Sequence, residues 1–179
     1  MEIEDIQPIL EAVIYVADDP VRVEQLKELF PDESYDKLEV ALHRLVEEFN
    51  ARRGGMCIRE VAGGYRMSTR PEYHEYIRSY LKSKPGAKLS LAALETLAVI
   101  AYRQPVTLAE ILAIRGKKST TALHTLLEKK LVTILGRKPV VGRPILYGTS
   151  KEFLVHFGLK DLSDLPTLEE FAQMAGEQL

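Results

Sequence analysis

Between Leu89 and Thr149 three helical patterns are followed by two short β-prone runs that bracket a basic loop with a glycine at each end, and few folds accommodate that order. Leu91, Leu94, Leu97, Ala98 and Ala101 recur with the 3.6-residue period of one helix face, and Ser90 stands just before them as an N-cap. Pro105-Val106-Thr107 makes a short extended step. Leu108, Ile111 and Leu112 form a second stripe closed by Gly116, with Arg115 suited to the negative end of the helix dipole. Ser119 or Thr120 caps a third helix that points Leu123, Leu126 and Leu127 one way and leaves Lys117, Lys118, Lys129 and Lys130 in solvent. Val132 to Leu135 and Ile145 to Tyr147 then flank Gly136-Arg137-Lys138-Pro139-Val140-Val141-Gly142, a loop too long for a two-residue hairpin and rich in turn formers.

A weaker copy of this order precedes it. Ile6, Ile9, Leu10, Val13 and Ala17 form a helical stripe that Asp18-Asp19-Pro20 ends, and Val23, Leu26 and Phe30 support a short second helix closed by Pro31. Ser34 caps a third, with Leu38, Ala41, Leu42, Leu45, Val46 and Phe49 on one face as far as Arg52. Met56 to Val61 and Tyr65 to Thr69 read as strands turned by Gly63-Gly64. Glu11…Pro20-Val21 parallels Glu95…Pro105-Val106, and Thr69…Glu72 parallels Thr149…Glu152, each a capping box from which a helix restarts after the second strand. The expected fold is therefore mainly α (α+β): two tandem winged-helix domains, each of three helices and a small antiparallel wing. The domains should span 1–84 and 89–166, joined by the polar Lys82-Ser83-Lys84-Pro85-Gly86-Ala87-Lys88 linker, with a tail at 167–179 capped by Thr167 and Glu170.

Charge separates the halves. Residues 1–85 hold 12 Lys and Arg against 17 Asp and Glu, whereas residues 86–179 hold 12 against 9. The excess concentrates between Arg103 and Lys151, where 10 basic residues face 2 acidic ones, a balance suited to phosphates or to an acidic protein. The single cysteine, Cys57, has no internal partner, no Cys/His spacing resembles a metal site, and no cofactor is expected. Glu2, Glu4 and Asp5 stand where a signal peptide carries positive charge, and no apolar run reaches the length of a membrane span, so a cytoplasmic protein without membrane contact is expected.

The run Leu91-Ala92-Ala93-Leu94-Glu95-Thr96-Leu97-Ala98-Val99-Ile100-Ala101-Tyr102-Arg103-Gln104-Pro105-Val106-Thr107, then Ile114-Arg115-Gly116, then Gly142 to Thr149, resembles the segregation and condensation protein B family, as does Leu159-Lys160-Asp161-Leu162-Ser163-Asp164-Leu165-Pro166. The resemblance is dense from Leu89 to Pro166 and looser over Ile6 to Tyr80. It implies a non-catalytic accessory subunit of the bacterial SMC condensin complex, nucleoid-associated and acting in chromosome condensation and partition. Such a subunit dimerises through its N-terminal winged helix and binds the kleisin subunit, segregation and condensation protein A, meeting the SMC ATPase indirectly. The Lys117-Lys118-Ser119-Thr120 segment is more basic than the family pattern, which leaves a direct, non-specific DNA contact open.

Candidate sites follow from both readings. Lys117 and Lys118 at the start of the third helix, with Arg137 and Lys138 in the wing, are candidates for nucleic-acid contact, although that helix lacks the Asn or Gln that reads adenine. A DNA-binding transcriptional regulator is the alternative function. Val140, Val141, Arg143, Ile145 and Ile114 are the candidates for kleisin binding, because a loop tip has little core for its apolar residues to join. Tyr73, Tyr76 and Tyr80, at helical spacing, either pack on their own domain or form the dimer interface. Gly136 to Gly142 lacks the Lys and Ser/Thr of a phosphate loop, and no histidine stands beside a nucleophile, so no catalytic residue is expected.

Overall fold

The computed structural model describes residues 1–81, 89–116, 119–167 and 169–170. The chain divides into two units, Met1–Pro85 with Gly158–Leu179, and Gly86–Phe157.

In the first unit α1 (Ile3–Val16), α2 (Val23–Leu29) and α3 (Tyr35–Ala51) surround a core of Ile6, Leu10, Ile14, Leu26, Leu38, Leu42, Leu45 and Ile58. The buried row of α1 is 6, 10 and 14, so Ile9 of the expected stripe is exposed and Val13 and Ala17 pack only at the margin. Ser34 caps α3 as its sequence suggests, its side chain accepting from Lys37 N–H. At the other end of α3 the Asn50 amide pairs with both backbone groups of Ile58 at 2.9 Å, fixing the helix to β1 (Met56–Val61).

β1 pairs antiparallel with β2 (Gly64–Thr69), Val61 opposite Gly64. The turn is therefore Ala62-Gly63, both at positive φ (51° and 71°), one position earlier than expected. Gly64 serves a different need: a Cβ there would lie 2.9 Å from the backbone of Pro20 and Val21. That close approach lets Val21 bridge to Tyr65, with N–H···O distances of 2.9 and 2.8 Å.

After β2 a 3₁₀ turn (Pro71–Tyr73) leads into α4 (His74–Leu81). Residues 158–166, expected in the second domain, group with the first unit. Leu159 accepts a 2.9 Å hydrogen bond from Ala62 N–H, and Lys160 pairs with Glu60 at 3.0 Å. Backbone pairing at the hairpin decides this boundary, and sequence spacing carries no sign of it.

The second unit contains α5 (Leu91–Arg103), β3 (Val106–Thr107), α6 (Leu108–Arg115), α7 (Ser119–Glu128), β4 (Val132–Arg137), β5 (Ile145–Thr149) and α8 (Lys151–Phe157). Its sheet has the order β3-β5-β4, with Val106 opposite Tyr147. The Val21–Tyr65 bridge of the first unit repeats this pairing, so the sequence repeat is a structural one: two winged helices.

Ser90 caps α5, but the buried face of α5 is Ala93, Thr96, Leu97 and Ile100 rather than the Leu91, Leu94, Ala98 set, of which Leu91 is 72% exposed. A helical period admits either face. Thr96 fits the core because its hydroxyl donates to Ala92 O at 2.8 Å, satisfying the polar group inside its own helix.

Candidate functional site

The wing of the second unit is built on β4 and β5, with a register shift between Ile134 and Gly136 that sets Leu135 in a bulge. Beyond the strands, Lys138 N–H donates to Pro144 O and Arg143 N–H to Val140 O, both at 2.9 Å. The second bond closes a turn with Val141 at its first central position and Gly142 at the second. Gly142 has φ +84°, as a type II turn demands there. Val141 is wholly exposed at this tip, Val140 is about half exposed, and Ile145 is half-buried at the wing base.

Two of the wing cations, Arg137 and Lys138, are held by their own unit. Arg137 donates through Nη1 to the carbonyl of Arg143 at 3.0 Å, which locks the two arms of the loop together. Lys138 Nζ lies 2.8 Å from Glu110 Oε1, while Glu110 Oε2 accepts from both the backbone N–H and the hydroxyl of Thr107 at 2.7 Å. Thr107 and Glu110 form a capping box at the start of α6, so one carboxylate fastens both helix and wing. Lys138 and then the two Thr107 donors hold the Glu110 carboxyl down at about 2.

Of the expected partner-binding residues, Val140, Val141 and Arg143 share one turn and Ile145 lies below it, whereas Ile114 is exposed on another element, the last turn of α6. Lys117 and Lys118 lie outside the described residues. Tyr76 and Tyr80 are 77% and 80% exposed and Tyr73 43%, and α4 buries none of its residues.

This doubled winged-helix chain matches the family model described as Segregation and condensation complex subunit ScpB over residues 8–168. The chain belongs to the ScpB family. Among its relatives, the Segregation and condensation protein B of Syntrophotalea carbinolica is 46% identical over 177 residues, 99% of this chain and 89% of that protein. The one from Desulforamulus reducens is 49% identical over 163 residues, 90% and 88% of the two chains. ScpB from Mycobacterium tuberculosis, a solved structure, is 33% identical with a TM-score of 0.43, covering 89% of this chain and 98% of its own. A solved dimer of an ScpB N-terminal domain with an ScpA peptide is 18% identical with a TM-score of 0.40, covering 44% of this chain and 96% of its own.

Two features of this ScpB wing escaped the sequence reading. Ile134 and Leu135 are both more than half exposed, which adds apolar surface to the strand that carries Arg137. Their β-prone run was the available signal, and β4 exposes Thr133, Ile134 and Leu135 in succession. Gln104 is the second. Its side chain holds Thr149 and so ties the base of the wing to the end of α5. Among the described residues no group of three or more His, Cys, Asp and Glu is placed to hold a metal ion, and no helix is long and apolar enough to cross a membrane.

Proposed function

We propose that this ScpB-family chain is a non-catalytic scaffold of the SMC condensin complex, active at the nucleoid in the cytoplasm during chromosome condensation and segregation. It pairs with a second copy through its first unit, where Tyr73, Tyr76 and Tyr80 offer apolar area with polar tips. Its second unit binds the kleisin subunit, segregation and condensation protein A, and through it meets the SMC ATPase. A dimer offers two such units, so an extended kleisin segment long enough to reach both binds with raised effective concentration.

The observation that carries the assignment of the site is Val141, an apolar side chain fully in water at the tip of a braced loop. Covering it stabilises a complex by roughly 1.5–3 kcal/mol if burial is complete. Val140, Ile145, Arg143 and Ile114 complete the proposed surface. A transcriptional regulator is not favoured, since Arg137 and Lys138 already have partners inside the unit.

Purification of the tagged protein from its own cells, with nuclease, tests the assembly. Kleisin and SMC subunits should remain in fixed ratio, and their loss on nuclease treatment would overturn the scaffold reading. Val140→Asp with Val141→Asp should weaken kleisin binding at least about tenfold, corresponding to about 1.4 kcal/mol, without lowering the melting temperature. Unchanged affinity removes the wing tip from the kleisin site.

A further inference from the structure

Arg137 and Lys138 of the wing are tied, but another group of cations is not. Among the described residues Arg103, Lys129, Lys130 and Lys151 are exposed and make no ion pair. Three of them are drawn to one place by the backbone. Ser150 N–H donates to Leu131 O at 3.2 Å, and the Ser150 hydroxyl donates to the Lys130 carbonyl. The start of α8, with Lys151, therefore sits on the turn that carries Lys129 and Lys130. Arg103 precedes Gln104, whose side chain holds Thr149, so the end of α5 is fastened to the same end of β5. Glu128 and Glu152 flank the group in sequence and are also exposed, leaving an excess of positive charge.

The turn after α7 adds a second observation. Lys130 N–H donates to Leu127 O at 3.0 Å and Leu131 N–H to Leu126 O at 2.9 Å, the paired bonds of a Schellman motif. Lys130 occupies the position of that motif that glycine normally fills, with φ +57°. An L residue with a Cβ is disfavoured in that conformation, so a cation stands where the backbone alone would select glycine. Attraction to the negative end of α7 accounts for a lysine in the last turn, and Lys129 already supplies it. A second lysine at the strained position is left without a structural reason.

We propose that Lys129, Lys130 and Lys151, with Arg103 beside them, form a contact for the sugar–phosphate backbone of duplex DNA, without sequence preference. Exposed ammonium groups carry point charges suited to phosphates and no base-reading geometry. A protein-binding surface normally has an apolar or aromatic centre and few lysines, which describes the wing tip and not this cluster. The site does not include Arg137 and Lys138, which have partners in the wing.

Binding of the full chain to a labelled random-sequence duplex, followed by fluorescence anisotropy over a salt series, tests the proposal. Affinity should fall as salt rises with a log–log slope of roughly −3, for three neutralised phosphates. Lys129→Glu, Lys130→Glu and Lys151→Glu together should abolish the binding, whereas Arg137→Glu should leave most of it. Lys130→Gly separates site from scaffold: it should raise Tm, by relieving the backbone, and reduce the slope by about one. Absence of DNA binding by the wild type at low salt overturns the proposal, as does a triple variant that binds like wild type. So does a triple variant that keeps its DNA but loses a protein subunit of the complex, since the cluster is then a protein contact.

Discussion

Gln104 and Thr149 are locked to each other: Gln104 Oε1 accepts from the Thr149 backbone N–H at 2.8 Å and from its hydroxyl at 3.1 Å, while Gln104 Nε2 donates to Ala101 O at 3.1 Å. The side chain thereby joins the C-terminal end of α5 to the last residue of β5. Removing it leaves a partly buried N–H without its acceptor, and such a loss costs about 1–3 kcal/mol. Gln104→Ala should lower the urea midpoint of the full chain by a corresponding amount. Gln104→Glu keeps the acceptor, loses the Nε2 donations to Ala101 O and Thr149 Oγ1, and should lie between the two. A midpoint for Gln104→Ala equal to that of the wild type would show that water replaces the amide fully.

Glu110 gives the wing a pH signature. Its carboxyl is held at about 2 against an ordinary value of 4.5, first by Lys138 and then by Thr107. A depressed carboxylate contributes stability that is fully present above 4.5 and is lost as pH falls through 2. The pair is exposed, so salt screens it. Carboxyl NMR of Glu110 should report titration near 2 in the wild type, rising toward 4.5 in Lys138→Met but stopping short of it while both Thr107 donors remain. Titration of the wild type at the ordinary value would break the proposed link between helix cap and wing.

Element order was legible because hydrophobic period, turn residues and caps agreed from Ile6 to Phe157, and the Val21/Val106 parallel proved to be a shared strand pairing. Which face of a helix enters the core was harder to read. In α5 the sets beginning at Leu91 and at Ala93 are both periodic, and packing chose the smaller residues.

Local competition misled the caps. Thr149 does not cap α8, because Gln104 engages its hydroxyl, and Ser150 accepts from Phe153 N–H instead. Thr69 likewise remains in β2, and the turn that follows has Arg70 at its N-cap. The Thr107–Glu110 box, in contrast, stands in the sequence as T-x-x-E, but its threonine also ends an extended step, and only the fold shows that it caps α6. Within the candidate site, the apolar tip was readable from composition. The contacts that hold Arg137 and Lys138 were not, since one is to a backbone carbonyl and the other joins Lys138 to a carboxylate on another element.

The paired glycines of the first hairpin should respond unequally to the same change. Gly63 needs only a left-handed backbone, so Gly63→Ala should cost about 1–2 kcal/mol. Gly64→Ala presses a methyl group against the backbone of Pro20 and Val21 at 2.9 Å, where no flexible side chain can yield. It should cost at least as much, in the range of about 1–3 kcal/mol or beyond, and should speed hydrogen exchange at Val21 and Tyr65. Gly54→Ala, with open space around it, is the control. Equal thermal shifts for the Gly54 and Gly64 variants would contradict the close crossing.

The return of the chain to the first unit can be tested at Ala62, whose N–H has Leu159 O as its acceptor. Lys160 holds the neighbouring Glu60, and that carboxylate raises the lysine pKa. Asp161 organises the following turn by accepting from both the backbone and the hydroxyl of Ser163, while Asp164 accepts from Lys160 N–H at 2.7 Å. The segment thus has its own local order and, among the described residues, is fastened to the hairpin by the Ala62–Leu159 hydrogen bond and the Glu60–Lys160 pair. Because the ion pair is exposed, Lys160→Ala should leave global stability nearly unchanged. Its local effect should be larger: exchange at the Ala62 amide should accelerate and protease should cut after Leu159 sooner, while Val21 and Tyr65 keep their protection. Acceleration at all three amides together would mean that the segment opens only with the whole unit.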